Sequence, residues 1–291
     1  MGIAFVINYC TNDYRFLSKA IEAIRPITPH IIIPVCDHFY DNTLENRHLL
    51  ELSYLKHPDC QFIEYVFDQN RPYGLYCPVS QNHEDWIHFW HSTSRYIGYH
   101  FVPEEIDYVI FIDVDEILDT ARFREWLNGF DYRRYDAIKF ASYFYFRSAS
   151  YRAKTYQSNG LMLKKQAIEP QALLDVYERK GTYTAIKQDK IDYALGLDGS
   201  PLFHHYSWVK PYDELVRKVL SWGHHMDKPW VQLLEMEYSE PFRGKDLLFD
   251  LSYDMVNAPW DPLAVEIPKP NNVNYVDASF IAKMNVMKTL L

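Results

Sequence analysis

The sequence predicts an α/β protein with a mostly parallel central sheet, flanking helices and a C-terminal helical extension. Three observations lead there. Over the first 120 residues, short apolar runs alternate with stretches of helical period, the pattern of strands joined by crossover helices. The runs are continuous, as in strands buried on both faces. Polar side chains stand at or just past the end of each run: Asn8-Tyr9, Asp37, Asp68 and Asp113. In an open α/β sheet those positions share the edge where ligands bind.

Each element has its own signal. Residues 3–9 read as the first strand. Phe16, Leu17, Ala20, Ile21 and Ile24 then recur at helical spacing, with Thr11 or Asn12 as the cap and Pro26 as the stop. Residues 30–36, 61–67 and 107–112 give three more strands, separated by helices over 44–55 and 84–99. Trp86 and Trp90, four apart, read as core residues of the second of these helices. Beyond them, strands are expected over 137–148 and 202–209, and helices over 212–222 and 228–238. Residues 259–276 hold four prolines and three asparagines and read as an extended arm, followed by a short helix over 279–291. The chain divides into a first half, 1–120, a second half of the same domain, 121–245, and the arm and helix, 246–291.

Composition narrows the function. With 291 residues, 48% hydrophobic and 24% charged, the chain is globular and needs no staples. A net charge of -9 excludes general nucleic-acid binding. Aromatics at 16% suit sugar stacking as well as strands. Cysteines at 10, 36, 60 and 77 form no C-x-x-C pair and read as free thiols of a reducing compartment. No signal peptide is expected, Val6 breaks the myristoylation pattern, and no run of 18 apolar residues could span a membrane. The expectation is a cytoplasmic protein, at most peripheral to a membrane, with the C-terminal segment packed on the domain, on a second subunit or on a lipid surface. No G-x-G-x-x-G and no P-loop is present, which argues against a dinucleotide dehydrogenase and a P-loop NTPase.

The chemistry concentrates in residues 111–118, FIDVDEIL. Asp113 and Asp115 project two carboxylates from one turn, the arrangement that hard divalent cations take together with phosphate oxygens. The alternative is that one of them caps a following helix. Arg217-Lys218 with Trp222-Gly223-His224-His225 reads as a lid over a diphosphate, hinged at Gly223, or else as a solvated basic helix end. Arg147, Arg152 and Lys154 read as phosphate or anionic-acceptor contacts, or as plain surface charge.

Four anchors together resemble a known family. They are the opening strand leading into Asn8-Tyr9-Cys10-Thr11-Asn12, Asp37 after the second strand, Ser94-Arg95-Tyr96-Ile97-Gly98, and Asp113-Val114-Asp115 after the fourth. In this order they resemble the GT-A fold glycosyltransferases, Rossmann-like enzymes, and within them the inverting family-two group with a D-x-D motif. The resemblance covers roughly residues 1–120. It implies a nucleotide-diphosphate sugar donor, Mn2+ or Mg2+, and a hydroxyl acceptor on a glycan, a lipid-linked sugar or a surface polysaccharide. It implies that Tyr9, Thr11, Asp37, Arg95 and Asp113 contact the nucleotide, with Lys218 and His224 over the diphosphate. It implies Asp113 and Asp115 at the metal, completed by a histidine from the second half. Adjacent residues of a strand face opposite ways, so of His204-His205 only one reaches that site, and His205 is favoured because its face carries Ser207. A general base is expected among Glu178, Asp189, Asp192 and Asp198, with Asp189 first and Asp192 next. Two other readings stay open: a metal-dependent nucleotidyltransferase or phosphohydrolase, and a catalytically silent sugar-binding member of the fold.

Overall fold

The computed structural model describes residues 2–39, 43–66, 83–225 and 227–269, with backbone alone for 83–90. Asp68, Cys77, the side chains of Trp86 and Trp90, and the segment 279–291 lie outside the described residues. The first half runs β1 (Gly2–Asn8), α1 (Tyr14–Ile24), β2 (Ile31–Cys36), α2 (Arg47–Lys56), β3 (Gln61–Tyr65), α3 (His83–His100) and β4 (Ile106–Asp113). β1 is central, parallel to β2 on one side and β4 on the other, and β3 extends β2 in parallel. Asn8 pairs with Asp113 and Cys36 with Tyr65, so all four strands present their carboxyl ends along one edge.

After β4 the parallel plan gives way. The chain continues through β5 (Glu116–Leu118), α4 (Thr120–Gly129), β6 (Ala137–Phe146), β7 (Ser148–Ala153), β8 (Gln157–Lys164), α5 (Glu178–Ala185) and β9 (Lys190–Ala194). It ends with β10 (Phe203–Trp208), α6 (Tyr212–Ser221), α7 (Trp230–Tyr238) and β11 (Tyr253–Met255). β8 joins β4 antiparallel, and β6 joins β8 antiparallel. β6 is the hub: β8 and β7 line one of its edges, while β9 and then β10 line the other. The α/β expectation holds, with β1 to β4 all parallel and a mixed sheet beyond them, in which β9 and β10 pair parallel to β6 and β7 and β8 antiparallel.

Local chemistry explains the departures. Thr11 and Asn12 do not cap α1. Residues Thr11–Asp13 form a 3-10 turn, and the hydroxyl and amide of Thr11 are spent on Glu45. α1 is held instead by the burial of Phe16, Leu17, Ala20, Ile21 and Ile24. The D-x-D turn caps no helix either: β5 follows it, and Asp119 caps α4 by accepting from the Arg122 amide at 3.0 Å. Gly98 has a steric reason, since a Cβ there would lie 2.4 Å from Val6 Cγ1 and α3 rests directly on β1. β7, β8, α5 and β9 carry no clean period and were not expected. β8 begins with the polar run Gln157-Ser158-Asn159, which hides its strand character.

The arm returns to the domain as far as it is described. Trp260 packs edge-on against Phe16 and Tyr206, and Arg15 donates to the Pro262 carbonyl at 2.8 Å. No helix among the described residues is long and apolar enough to cross a membrane. Cys10, Cys36 and Cys60 are free thiols.

Candidate active site

A cavity of about 290 Å³ opens at the carboxyl edge of β1, β2 and β4, roofed by α6 and the segment after it. It has two ends. One is lined by Tyr9, Cys10, Cys36, His38, Phe39, Glu45 and Tyr65. Glu45, from the segment before α2, accepts from the Thr11 amide and hydroxyl and from the Asn46 amide. Burial pushes its carboxyl up to about 7 despite those donors. Tyr9 lines the cavity while its hydroxyl meets Ser53 Oγ at 3.0 Å.

The other end is a web of charge around the D-x-D turn. Asp113 ends β4 and takes Arg179 Nη2 at 2.9 Å and Asn8 Nδ2 at 3.3 Å. Glu116 is fully buried and binds Arg179 through both oxygens, at 2.6 and 2.7 Å. Burial alone would raise the Asp113 carboxyl, but the Arg179 and Arg95 charges hold it below the usual range. Glu116, more deeply buried, is pushed up. Asp115 faces the other way, with His205 Nε2 3.5 Å from its Oδ1 and Lys218 Nζ 3.6 Å from its Oδ2. Burial opposes its ionisation, and His205 with Lys218 outweighs burial, so it stays a carboxylate. His205 Nδ1 is anchored from behind, 2.9 Å from Gln157 Oε1 and 2.7 Å from Asn159 Nδ2.

These neighbours test whether the residues suit a divalent cation. The buried Oδ1 of Asp115 has no hydrogen-bond partner. Its 3.5 Å separation from His205 Nε2 exceeds a hydrogen bond and suits an oxygen and a nitrogen sharing one ion, each about 2.0–2.2 Å from it. Asp115 and His205 therefore fit. Asp113, expected beside them, has its Oδ2 bound by Arg179. Among the described residues no three His, Cys, Asp or Glu side chains form a metal-holding group. A cation here would take two protein ligands and draw the rest from its substrate or water.

Tyr9, Asp113, Asp115, His205, Lys218 and His224 all line the cavity, and His204 turns to the opposite face against Tyr145. Lys218, Trp222, Gly223 and His224 of the expected lid are all at its wall. Other expectations are corrected. Thr11 is consumed by Glu45 and does not line the cavity. Asp37 also stands off the wall, next to His38 Nδ1 at 2.9 Å. Arg95 is buried beneath the floor, its Nη2 3.2 Å from Glu178 and 3.8 Å from Asp113. Asp189 is exposed at the amino end of β9, the edge opposite the cavity, and Asp192 is exposed on β9 against Ser158 and Lys139. Asp198 is exposed and paired with Arg122. Arg147 is committed to Glu237 and Tyr238, Arg152 lies over Tyr143, and Lys154 pairs with Asp254, all away from the cavity. Arg217 sits over the Phe39 ring. Of the four base candidates, Glu178 alone reaches the cavity wall. Arg179 carried no motif in the sequence; its place emerges only when α5 folds against the D-x-D turn.

No family model matches the chain, and no curated protein matches it. Solved structures show a distant likeness. S. aureus TarS in complex with UDP is 11% identical, covering 82% of this chain and 72% of that one, with a TM-score of 0.43. The galactosyltransferase LgtC in complex with donor and acceptor sugar analogues is 11% identical, covering 83% and 98%, with a TM-score of 0.41. The 4-diphosphocytidyl-2C-methyl-D-erythritol synthase of Anaerococcus prevotii is 9% identical, covering 78% and 99%, with a TM-score of 0.40. Likeness at this level assigns no activity to the chain.

Proposed function

We propose that the chain is a metal-dependent glycosyltransferase that takes a sugar from a nucleotide-diphosphate donor and passes it, with inversion, to a hydroxyl acceptor. The observation that carries this reading is the buried, partnerless Oδ1 of Asp115 facing His205 Nε2 at the carboxyl edge of the parallel strands. Charge supports the metal. Among the described residues the cavity wall carries five carboxyl groups (Asp13, Glu45, Asp113, Asp115 and Glu178), of which Glu45 keeps its proton up to about 7, and two permanent cations, Arg179 and Lys218. A diphosphate would enter more readily together with a divalent cation.

Asp115 and His205 would hold Mn2+ or Mg2+, whose positive charge stabilises the departing diphosphate. Lys218, beside Asp115, adds a fixed cation to the same phosphates. Arg179 neutralises Asp113 and Glu116, which keeps the D-x-D turn in one shape without drawing on the donor. The nucleoside lies towards Tyr9, Phe39 and Tyr65, whose rings supply the apolar wall. Trp222, Gly223 and His224 close over the diphosphate and exclude water.

The test is calorimetric titration of UDP, GDP, CDP and dTDP with Mn2+ and again with EDTA. One nucleotide binding only with the metal is the expected result, and transfer is then followed as release of that nucleoside diphosphate. Release of pyrophosphate in its place would make the chain a nucleotidyltransferase. Binding without turnover would make it a silent sugar-binding protein.

A further inference from the structure

We infer that Glu178 is the carboxylate that deprotonates the acceptor hydroxyl, and that a hydrogen-bond chain running Ser94–Asn8–His91 positions it. The inference rests on the glycosyltransferase reading and names the residue that reading lacks.

Position comes first. Glu178 opens α5 and lines the cavity beside Asp113 and Arg179. All five carboxylates of the wall among the described residues have partners; those of Glu178 are His91 and Arg95. Asp13 is held by Lys210, Glu45 by Thr11 and Asn46, and Asp113 by Arg179, while Asp115 faces His205 and Lys218.

Backbone strain comes second. Glu178 has φ of 55°, in the left-handed region where the Cβ of a side-chain-bearing residue crowds the following carbonyl. Among the described residues four other non-glycine residues share that region, Arg147, Asp189, Tyr193 and Asp250, and none of them lines the cavity. Strain retained at a cavity wall marks a position fixed for its side chain.

Orientation comes third. Oε1 of Glu178 meets His91 Nδ1 at 2.9 Å, and Oε2 takes Arg95 Nη2 at 3.2 Å. Ser94 Oγ donates to Asn8 Oδ1 at 2.7 Å, which fixes the Asn8 amide with its nitrogen turned to His91 Nε2, 2.7 Å away. His91 Nε2 is thus an acceptor and Nδ1–H the donor to Glu178. Each link fixes the next, so the carboxylate is held at two points from the α3 side.

The step balances. As the acceptor oxygen bonds to the anomeric carbon, its proton passes to a Glu178 oxygen. The bond from that carbon to the phosphate oxygen breaks, and its electron pair leaves on the nucleoside diphosphate. The carboxylic acid then returns its proton to solvent.

The test uses the nucleotide sugar whose diphosphate binds in the titration above, with a panel of p-nitrophenyl glycosides and water as acceptors. Glu178→Gln should remain folded and bind nucleoside diphosphate with Mn2+ within about threefold. It should lower kcat by on the order of 100- to 10,000-fold. Glu178→Asp, which keeps the charge but withdraws it, should also lose kcat at unchanged nucleotide affinity, and it serves if the Gln variant fails to fold. His91→Ala should lower kcat without moving nucleotide affinity. His91→Asn, whose amide nitrogen can take the place of Nδ1, should restore part of the loss, as a merely structural role would not. A Glu178→Gln or Glu178→Asp enzyme that binds nucleotide and turns over at more than a tenth of the wild-type rate overturns the inference alone. A wild-type chain that binds no nucleotide with metal overturns the glycosyltransferase reading, and this inference with it.

Discussion

The two ends of the cavity solve the burial of polar groups in different ways. At the Tyr9–Glu45 end a lone carboxylate sits among hydrogen-bond donors that carry no charge: the Thr11 amide and hydroxyl and the Asn46 amide. Burial wins, and the group holds its proton up to about 7. At the D-x-D end Asp115 is as deeply enclosed and Asp113 is half-buried, yet each has a cation within 4 Å and stays ionised. One end suits a neutral ring system, and the other suits a charged group exchanged against charges already present. The comparison teaches that enclosure alone does not decide which carboxylates are charged: Asp113 and Asp115 stay ionised beside cations, whereas burial pushes up Glu45 and also the wholly buried Glu116, although Arg179 binds it.

The largest effect should come from breaking the charged end. Asp115→Ala removes the carboxylate paired with His205 and should take Mn2+-dependent nucleotide binding below detection, as EDTA should in the wild type. Calorimetry reads both. Retained binding in Asp115→Ala would move the cation elsewhere and dissolve the contrast between the ends.

Arg179→Ala should come next, read as folding stability in urea. It leaves Glu116, fully buried, and Asp113 without their shared partner. Removing one member of a buried ion pair costs about 3–5 kcal/mol. Lys218→Ala, whose partner Asp115 keeps His205, should cost less.

The neutral end gives a pH signature. Glu45 binds its proton up to about 7 when folded and only to 4.5 when unfolded. The folded state therefore carries the extra proton between those values, and its contribution to stability is full below pH 4.5 and falls as pH rises through 7. Gln resembles the protonated acid in shape. Glu45→Gln should match the wild type at pH 4.5 and exceed it at pH 8 by up to on the order of 3 kcal/mol. The difference between the two proteins is the quantity to measure. His57, lowered to about 4 by burial and by Arg25, drives stability the opposite way between 4 and 6.5 and cancels in the subtraction. A difference that stays constant with pH would show Glu45 ionised, like its counterparts at the other end.

The first half of the fold was legible because its strands are long apolar runs whose polar ends mark one edge. The D-x-D pair, His205 over His204, and the Lys218–His224 segment follow from period two and from residue type, and the cavity gathers them. Glu178 and Arg179 were not legible as a pair, because nothing local ties α5 to Asp113; 66 residues separate Arg179 from its partner. In the sequence Asp189 and Asp192 ranked ahead of Glu178, although no motif picks one of them. Only the pairing of β9 along β6 sends them away from the cavity wall. Thr11 looked like a cap because its competitor, Glu45, stands 34 residues on.

The smallest effect should be at Asp37, and it sharpens the comparison most. The family resemblance gives Asp37 the nucleoside. In the fold its amide bonds the Tyr65 carbonyl and its carbonyl accepts from the Glu45 amide, both at 3.0 Å, while its side chain turns to His38. Asp37 ties this strand end down through its backbone, which asparagine also supplies, and asparagine keeps an oxygen for His38 and Cys36. Asp37→Asn should therefore change stability by no more than about 0.5 kcal/mol, as most substitutions away from the core do. It should change metal-dependent nucleotide affinity by no more than about twofold, since 1.4 kcal/mol is needed for a factor of ten. Cys36 and His38, on either side, line the cavity in its place. A tenfold loss of nucleotide affinity at unchanged stability would mean that the Asp37 carboxylate reaches the nucleoside once it is bound. The Tyr9–Glu45 end would then read its ligand through a charge after all, and the division between the two ends would hold only for the empty cavity.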